Sequence, residues 1–305
     1  MSPVIKCFFV EKGVAAFEQL KPAVMAHHDP ERGFHVETYR GRFEDAIKKI
    51  VEYSEGMSLT FIDPTGWTEY AFDKIDPLLR RKPGEVLVNF MYDHISRFTS
   101  WNDDTITESF NGILRPGWRD RIDRTLSPGD AAEKIFRKEL KEAGNFVYVV
   151  STPIKKATDR THFCITYATR HSKGIEVYRG IEYNALCNHD FRRLESRINK
   201  KTTETGQGEL FLATDLPASR AIDAQYVAEQ VAATEWLKAR LHSSSRKEKF
   251  GDLWPEMLEI FTIRKADAKA ICVNLARAEI ISETWKARGS RVRTPDDNDI
   301  ISLRG

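Results

Sequence analysis

The sequence predicts an α/β protein built on a largely parallel sheet, and three observations lead there. Short apolar runs recur from Val4 to Met91, each ending in a polar or glycine-containing turn. Segments with helical apolar spacing separate them, which is the alternation of a parallel sheet with crossover helices. Two later runs, Phe146 to Val150 and His162 to Ala168, are joined by a polar loop and read as a β-hairpin at the end of that sheet.

The elements follow in order. Val4 to Val10 is a strand ending at Glu11-Lys12-Gly13, and Val14, Phe17 and Leu20 then share one helix face. Phe34 to Tyr39 is a strand leading into Gly41-Arg42-Phe43, followed by an amphipathic helix from Glu44 to Tyr53 with Ala46, Ile47 and Ile50 inward. Leu59 to Ile62 is a third strand, closed by Asp63-Pro64-Thr65-Gly66-Trp67, a turn-rich sequence. Phe72 to Leu79 reads as a helix and Glu85 to Met91 as a fourth strand. Residues 100–144 read as a helical insertion ending in the strong helix Ala131 to Ala143. Four parallel strands plus a terminal hairpin match the back part of a Rossmann-type, class I methyltransferase-like sheet, with the first strand and its glycine-rich loop missing. The α/β domain is expected over 1–198.

A helical connector is expected over 199–245, with 199–208 as a loop and Ala221 to Leu241 as a long helix. Residues 246–305 show two helices, Phe250 to Phe261 and Lys265 to Ala278, and two strand segments, Ile280 to Lys286 and Ile300 to Leu303. Helix, helix and two-stranded wing is the winged-helix arrangement.

Bulk properties narrow the function. With 41% hydrophobic and 30% charged residues the 305-residue chain can bury a substantial core, and a net charge of +2 leaves nucleic-acid binding to local clusters. Cys7, Cys164, Cys187 and Cys272 form no CxxC pair and have no histidine at ligand spacing, so no metal site and a reduced, cytoplasmic setting are expected. No apolar stretch reaches the roughly 18 residues of a membrane span, and the N-terminus has no signal-peptide pattern.

The chemistry-bearing residues cluster at strand ends, where open α/β sheets bind ligands. Asp63-Pro64, with Trp67 beyond the intervening Thr65-Gly66, resembles the strand-end Asp-Pro-Pro-aromatic motif of amino-methyltransferases, which implies Asp63 and Pro64 holding an amine and Trp67 stacking on a base. A strand-terminating turn is the alternative. Glu11 can accept hydrogen bonds from both hydroxyls of a ribose, or serve as an ordinary surface residue. Gly41, Arg42 and Phe43 sit where an adenine ring is met, or lead into a helix with Phe43 in the core. Asn89, His94 and Arg97 follow the fourth strand and are candidate substrate contacts. Arg170 and His171, with Lys173 beyond, are candidate phosphate contacts. In the tail, Arg264, Lys269, Arg288, Arg291 and Arg293 are the principal candidates for nucleic-acid contact, with a solvated basic face as the alternative.

Phe61-Ile62-Asp63-Pro64-Thr65-Gly66-Trp67, Leu87-Val88-Asn89-Phe90-Met91 with Arg97-Phe98, and Tyr167-Ala168-Thr169-Arg170-His171-Ser172-Lys173-Gly174 together resemble the three-Cys-motif partner protein family (TcmP), over about Ile5 to Tyr183. The resemblance implies a methyltransferase-like Rossmann domain, S-adenosylmethionine as cofactor, and a radical-SAM-like three-Cys-motif protein as partner. It also implies nucleic acid, DNA or RNA, or a nucleotide amine as the substrate. The family's opening strand with Ile-Asp-Gly-Phe-Ala-Gly-Pro-Gly has no counterpart here, so an N-terminally truncated version is expected. The alternative is a non-catalytic nucleic-acid- or protein-binding partner with a degenerate Rossmann scaffold.

Overall fold

The computed structural model describes residues 4–64, 70–98, 103–205, 219–244, 247–289 and 291–304. The chain divides into two compact units, Met1–Ile154 with Thr161–Arg170, and Lys155–Arg160 with His171–Gly305.

The first unit is mixed α/β. It runs β1 (Ile5–Glu11), α1 (Val14–Met25), β2 (Phe34–Arg40), α2 (Phe43–Tyr53), β3 (Ser58–Ile62), α3 (Phe72–Leu79), β4 (Gly84–Phe90), α4 (Tyr92–Phe98), α5 (Asp104–Leu114), α6 (Pro128–Gly144), β5 (Tyr148–Lys155) and β6 (Thr161–Thr169). β1 pairs with β2 in parallel, from Ile5 opposite Phe34 to Glu11 opposite Arg40. The other four strands form a sheet in the order β3-β4-β6-β5, with β3 parallel and β6 antiparallel to β4. Among the described residues, the four parallel strands expected from the sequence are thus two separate parallel pairs, and no ladder joins β1 to β3.

Period-two burial orients β4: Val86, Val88 and Phe90 are buried, while Leu87 and Asn89 are half-buried. The buried face meets Ile47 of α2, Ile75 of α3, Phe110 and Ile113 of α5, and Phe136 of α6 in one core. Phe136 holds the insertion to the sheet, its ring 4.7 Å from that of Phe90 and 5.6 Å from that of Phe72. Truncating a fully buried Phe of this kind costs about 3–5 kcal/mol. The ends of α6 are written in its sequence. Ser127 Oγ accepts from Asp130 N, Pro128 opens the first turn, and Asn145 closes the helix at φ 53°. Gly129 is required there, because a Cβ would lie 2.4 Å from the Tyr92 ring.

The second unit runs α7 (Ser172–Thr205), α8 (Ser219–Ser244), β7 (Glu248–Lys249), α9 (Phe250–Ile260), α10 (Lys265–Arg277) and β8 (Ile300–Ile301). α7 corrects the expectation of a loop from 199: the helix continues to Thr205, through residues such as Lys200. Lower on α7, Arg193 Nε donates to Lys156 O at 2.9 Å, and Arg193 and Arg197 grip Asp159, so the 155–160 loop is tied to the helix. The first expected wing strand, Ile280 to Lys286, is also corrected. Only Ile281 bridges, to Leu303; the chain then turns through a 3-10 segment, Thr284–Arg288, that seats Trp285 in full burial. Thr284 Oγ1 donates to Ile300 O at 2.5 Å, fixing that bend. β8 instead pairs with β7, Glu248 opposite Ile301. Among the described residues, no helix is long and apolar enough to cross a membrane.

Candidate functional site

A cleft of about 150 Å³ opens in the first unit where β1, β2 and β3 end. Val10, Glu11 and Lys12 line it from β1; Gly41, Arg42, Phe43 and Glu44 from the start of α2; Phe61, Ile62, Asp63, Pro64 and Tyr70 from the end of β3 onward. Six residues singled out from the sequence, Glu11, Gly41, Arg42, Phe43, Asp63 and Pro64, meet in this one cleft. Trp67 lies outside the described residues.

Each wall has a local cause. Glu11 ends β1, and its Oε1 accepts the Gly13 N–H at 2.6 Å, which orients the carboxylate as the chain turns into α1. Gly41 is needed because a Cβ would sit 2.6 Å from the Tyr39 ring. Arg42 and Lys74 each reach Glu44 Oε1 at 3.2 Å. Burial would raise the Glu44 carboxyl, but hydrogen bonds from its own backbone, Lys74 and Arg42 outweigh it and hold the group below the ordinary carboxylate value.

Asp63 is aimed by its neighbour. Asn89, near the end of the adjacent strand β4, donates from Nδ2 to Asp63 Oδ1 at 2.6 Å. Its own Oδ1 is buried without a hydrogen bond, so the amide is committed to the carboxylate at some expense in stability. Asn89 was expected to contact substrate; its observed contact is with Asp63. Tyr70, which the sequence reading missed, is 1% exposed and lines the same cleft. Burial pushes its phenol well above the ordinary value, so it stays protonated. Its only signal in the sequence was a Tyr a few residues past a strand end.

The remaining candidates lie elsewhere. Arg97 is held within α4, with Nη2 3.1 Å from Asp93 Oδ2, and the His94 ring stacks on Phe98 at 4.8 Å. Arg170 is turned inward. Its guanidinium donates to the backbone carbonyls of Leu79, Arg81, Gly84 and Gly144, and lies over the Phe146 ring at 4.3 Å. Its Nη1 and Nη2, expected to meet a phosphate, are thus committed to the fold. His171 is exposed at the start of the second unit.

In the tail, Arg264 donates to Asp267 from its backbone N, Nε and Nη2, and lies over the Tyr183 ring at 4.4 Å. Arg288 forks onto Asp299 at 3.0 and 2.6 Å. Lys269 is half-buried, whereas Arg291 and Arg293 are exposed. Compared with models of known protein families and with curated protein sequences, the chain matches none.

Proposed function

We propose that this chain is an S-adenosylmethionine-dependent, methyltransferase-like protein of the three-Cys-motif partner type, acting on an amine of a nucleic acid or nucleotide. In this reading the first unit is a Rossmann-type domain and the end of the second a winged helix. The observation that carries it is the single cleft in which Glu11, Gly41–Phe43 and Asp63–Pro64 come together. The lining suits a nucleoside. Val10, Phe43, Phe61 and Ile62 offer apolar walls to a flat ring, and two carboxylates, Glu11 and Asp63, accept hydrogen bonds from hydroxyl and amino groups.

When bound, S-adenosylmethionine supplies an electrophilic methyl group. Glu11 accepts hydrogen bonds from the ribose hydroxyls, and the Gly41–Phe43 turn borders the base. Asp63, held by Asn89, accepts a hydrogen bond from the target amine with the Pro64 carbonyl beside it, presenting the nitrogen lone pair. Rate acceleration on this account comes from positioning rather than from acid–base chemistry. The radical-SAM-like three-Cys-motif protein is the partner this reading carries with it.

The test is transfer of a tritiated methyl group from S-adenosylmethionine to DNA, RNA or mixed nucleotides. Incorporation by the native chain, abolished in Asp63→Ala with an unchanged circular dichroism spectrum, is the expected result. Equal incorporation by the variant removes Asp63 from the site. A second reading, a non-catalytic nucleic-acid-binding protein, is favoured by the exposure of Arg291 and Arg293. It predicts salt-sensitive DNA binding that weakens when both are neutralised.

A further inference from the structure

The chain between β5 and β6, Lys155–Arg160, belongs with the second unit, where it lies against the C-terminal half of α7. Three α7 residues spaced four apart take three successive carbonyls of this loop. His189 Nε2 donates to Lys155 O at 2.9 Å, Arg193 Nε to Lys156 O at 2.9 Å, and Arg197 Nε to Ala157 O. Positions i, i+4 and i+8 lie along one helix face, so the ladder follows from the spacing. Asp159 is bonded by Arg193 and, at 2.7 Å, by Arg197. Asp190 Oδ1 holds Arg193 at 2.6 Å from within the helix. Loops are normally the mobile parts of a fold; this one is fixed along its carbonyl edge.

What the clamp presents is positive charge. The loop carries Lys155, Lys156 and Arg160 against Asp159. The helix from His189 to Lys200 carries Arg192, Arg193, Arg197 and Lys200 against Asp190 and Glu195. Seven cations and three carboxylates leave +4 on these two segments, whereas the whole chain carries +2, so the remainder is net negative. The carboxylates are already engaged, Asp159 and Asp190 by Arg193 and Arg197, and Glu195 by Arg192 at 2.9 Å. Arg160, Arg192, Arg197 and Lys200 are exposed, and Lys155 and Lys156 are half-buried.

We infer that this clamped basic surface binds the sugar–phosphate backbone of a nucleic acid. Lys and Arg gathered on a rigid frame are the electrostatic footprint of such a site, and a loop fixed beforehand costs less to order on binding. The scale agrees. Arg192 to Lys200 spans about 12 Å of helix axis, the axial length of about three to four phosphates on one strand of a duplex. Exposed ion pairs contribute little one at a time, so scattered exposed cations need the dense charge of a duplex, one per about 1.7 Å, rather than the sparser carboxylates of a peptide. A bilayer fits less well, because neither segment has an exposed large apolar side chain to enter it. Phe191 is half-buried, with the Arg192 guanidinium 6.0 Å from its ring centre. The inference extends the nucleic-acid reading to a second surface, needs neither the cleft nor the cofactor, and involves none of the tail arginines.

The test is fluorescence anisotropy of the full chain, without S-adenosylmethionine, on a labelled DNA duplex of about 20 base pairs and the RNA duplex of the same sequence, at about 50 to 200 mM salt. Binding that weakens as salt rises is expected, and the tighter duplex names the partner. Lys155→Gln/Arg160→Gln/Lys200→Gln leaves His189, Arg193 and Arg197 in place. It is expected to lower affinity at least about tenfold and the salt slope on DNA by about 2–3, and Lys200→Gln alone by about 1, with circular dichroism and melting temperature unchanged. No binding to either duplex overturns the inference. So does binding that survives the triple change; its loss in Arg291→Gln/Arg293→Gln would then assign the nucleic acid to the tail. Equal affinity for polyglutamate of similar length, or sedimentation with phosphatidylserine vesicles in place of duplex binding, gives the surface another partner and also overturns it. Methyl transfer is not read in this assay, so failure of the cofactor reading leaves its result unchanged.

Discussion

Arg170 gives the sharpest stability prediction. Its guanidinium donates to the carbonyls of Leu79, Arg81, Gly84 and Gly144, gathering the end of α3, the turn before β4 and the end of α6 around the end of β6. Two of these bonds measure 3.1 Å, to Arg81 O, and 2.9 Å, to Gly84 O. A net hydrogen bond is worth about 0.5–1.5 kcal/mol, and because the residue is only half-buried, water recovers part of the loss. Arg170→Met keeps the contact with Phe146 and removes the four bonds, so the expected loss is about 3 kcal/mol. At about 2–4 °C per kcal/mol for a unit of this size, the melting temperature falls by about 6–12 °C. Arg170→Lys is not expected to rescue it, since an ammonium cannot span four carbonyls fixed for a planar fork. Thermal and urea unfolding measure both variants. A loss below about 1 kcal/mol for Met, or native stability for Lys, refutes the reasoning and returns Arg170 to the pool of phosphate ligands.

Three further outcomes are expected. Asn89→Ala frees Asp63 to rotate, so methyl transfer falls by about ten- to a hundredfold while cofactor affinity is retained; a parallel loss of both would show that Asn89 shapes the cleft instead. Arg179 and Glu182 form a buried pair, 2.7 Å apart at 3% and 4% residue exposure. Glu182→Leu strands the arginine and destabilises the second unit by about 3–5 kcal/mol, whereas the double change Arg179→Leu/Glu182→Leu recovers much of that; urea midpoints compare the two. Hydrogen bonds from Arg197, then Arg193, hold the Asp159 carboxyl below its ordinary value. A depressed folded pKa gives stability that is present above the unfolded value, near pH 4, and lost as pH falls through the folded one. The melting temperature of the native chain is therefore expected to fall more steeply below about pH 4 than that of Asp159→Asn; matching slopes would remove Asp159 as the acid-sensitive tie.

What the sequence made legible follows from local physics. The strands from Ile5 to Phe90 are short apolar runs bounded by turn residues, and all were readable with small shifts in their ends. α6 announced itself through the Ala-, Glu-, Lys- and Leu-rich run Ala131 to Ala143, although Pro128-Gly129, a turn signal in the sequence, proves to be its first turn. The clustering of Glu11, Gly41–Phe43 and Asp63 was readable because parallel strands put their carboxyl ends on one side. Tertiary contacts were not readable. An arginine after a strand looks the same whether it meets a phosphate or, like Arg170, four carbonyls. A polar stretch such as 199–205 carries no apolar period to mark it as helix, although α7 continues through it. Ile280 to Lys286 suggested a strand, but the burial of Trp285 within it is achieved in a 3-10 turn. That β1 and β3 share no ladder among the described residues is a property of pairing, which composition does not report.

The central claim, that the cleft takes an adenosyl nucleoside on Glu11, is tested most directly by calorimetry with S-adenosylhomocysteine, which binds without reacting. The account predicts saturable one-to-one binding by the native chain, weakened about tenfold or more in Glu11→Ala through loss of hydrogen bonds to a charged acceptor. Absence of heat with the native chain, or equal affinity in the two proteins, contradicts it.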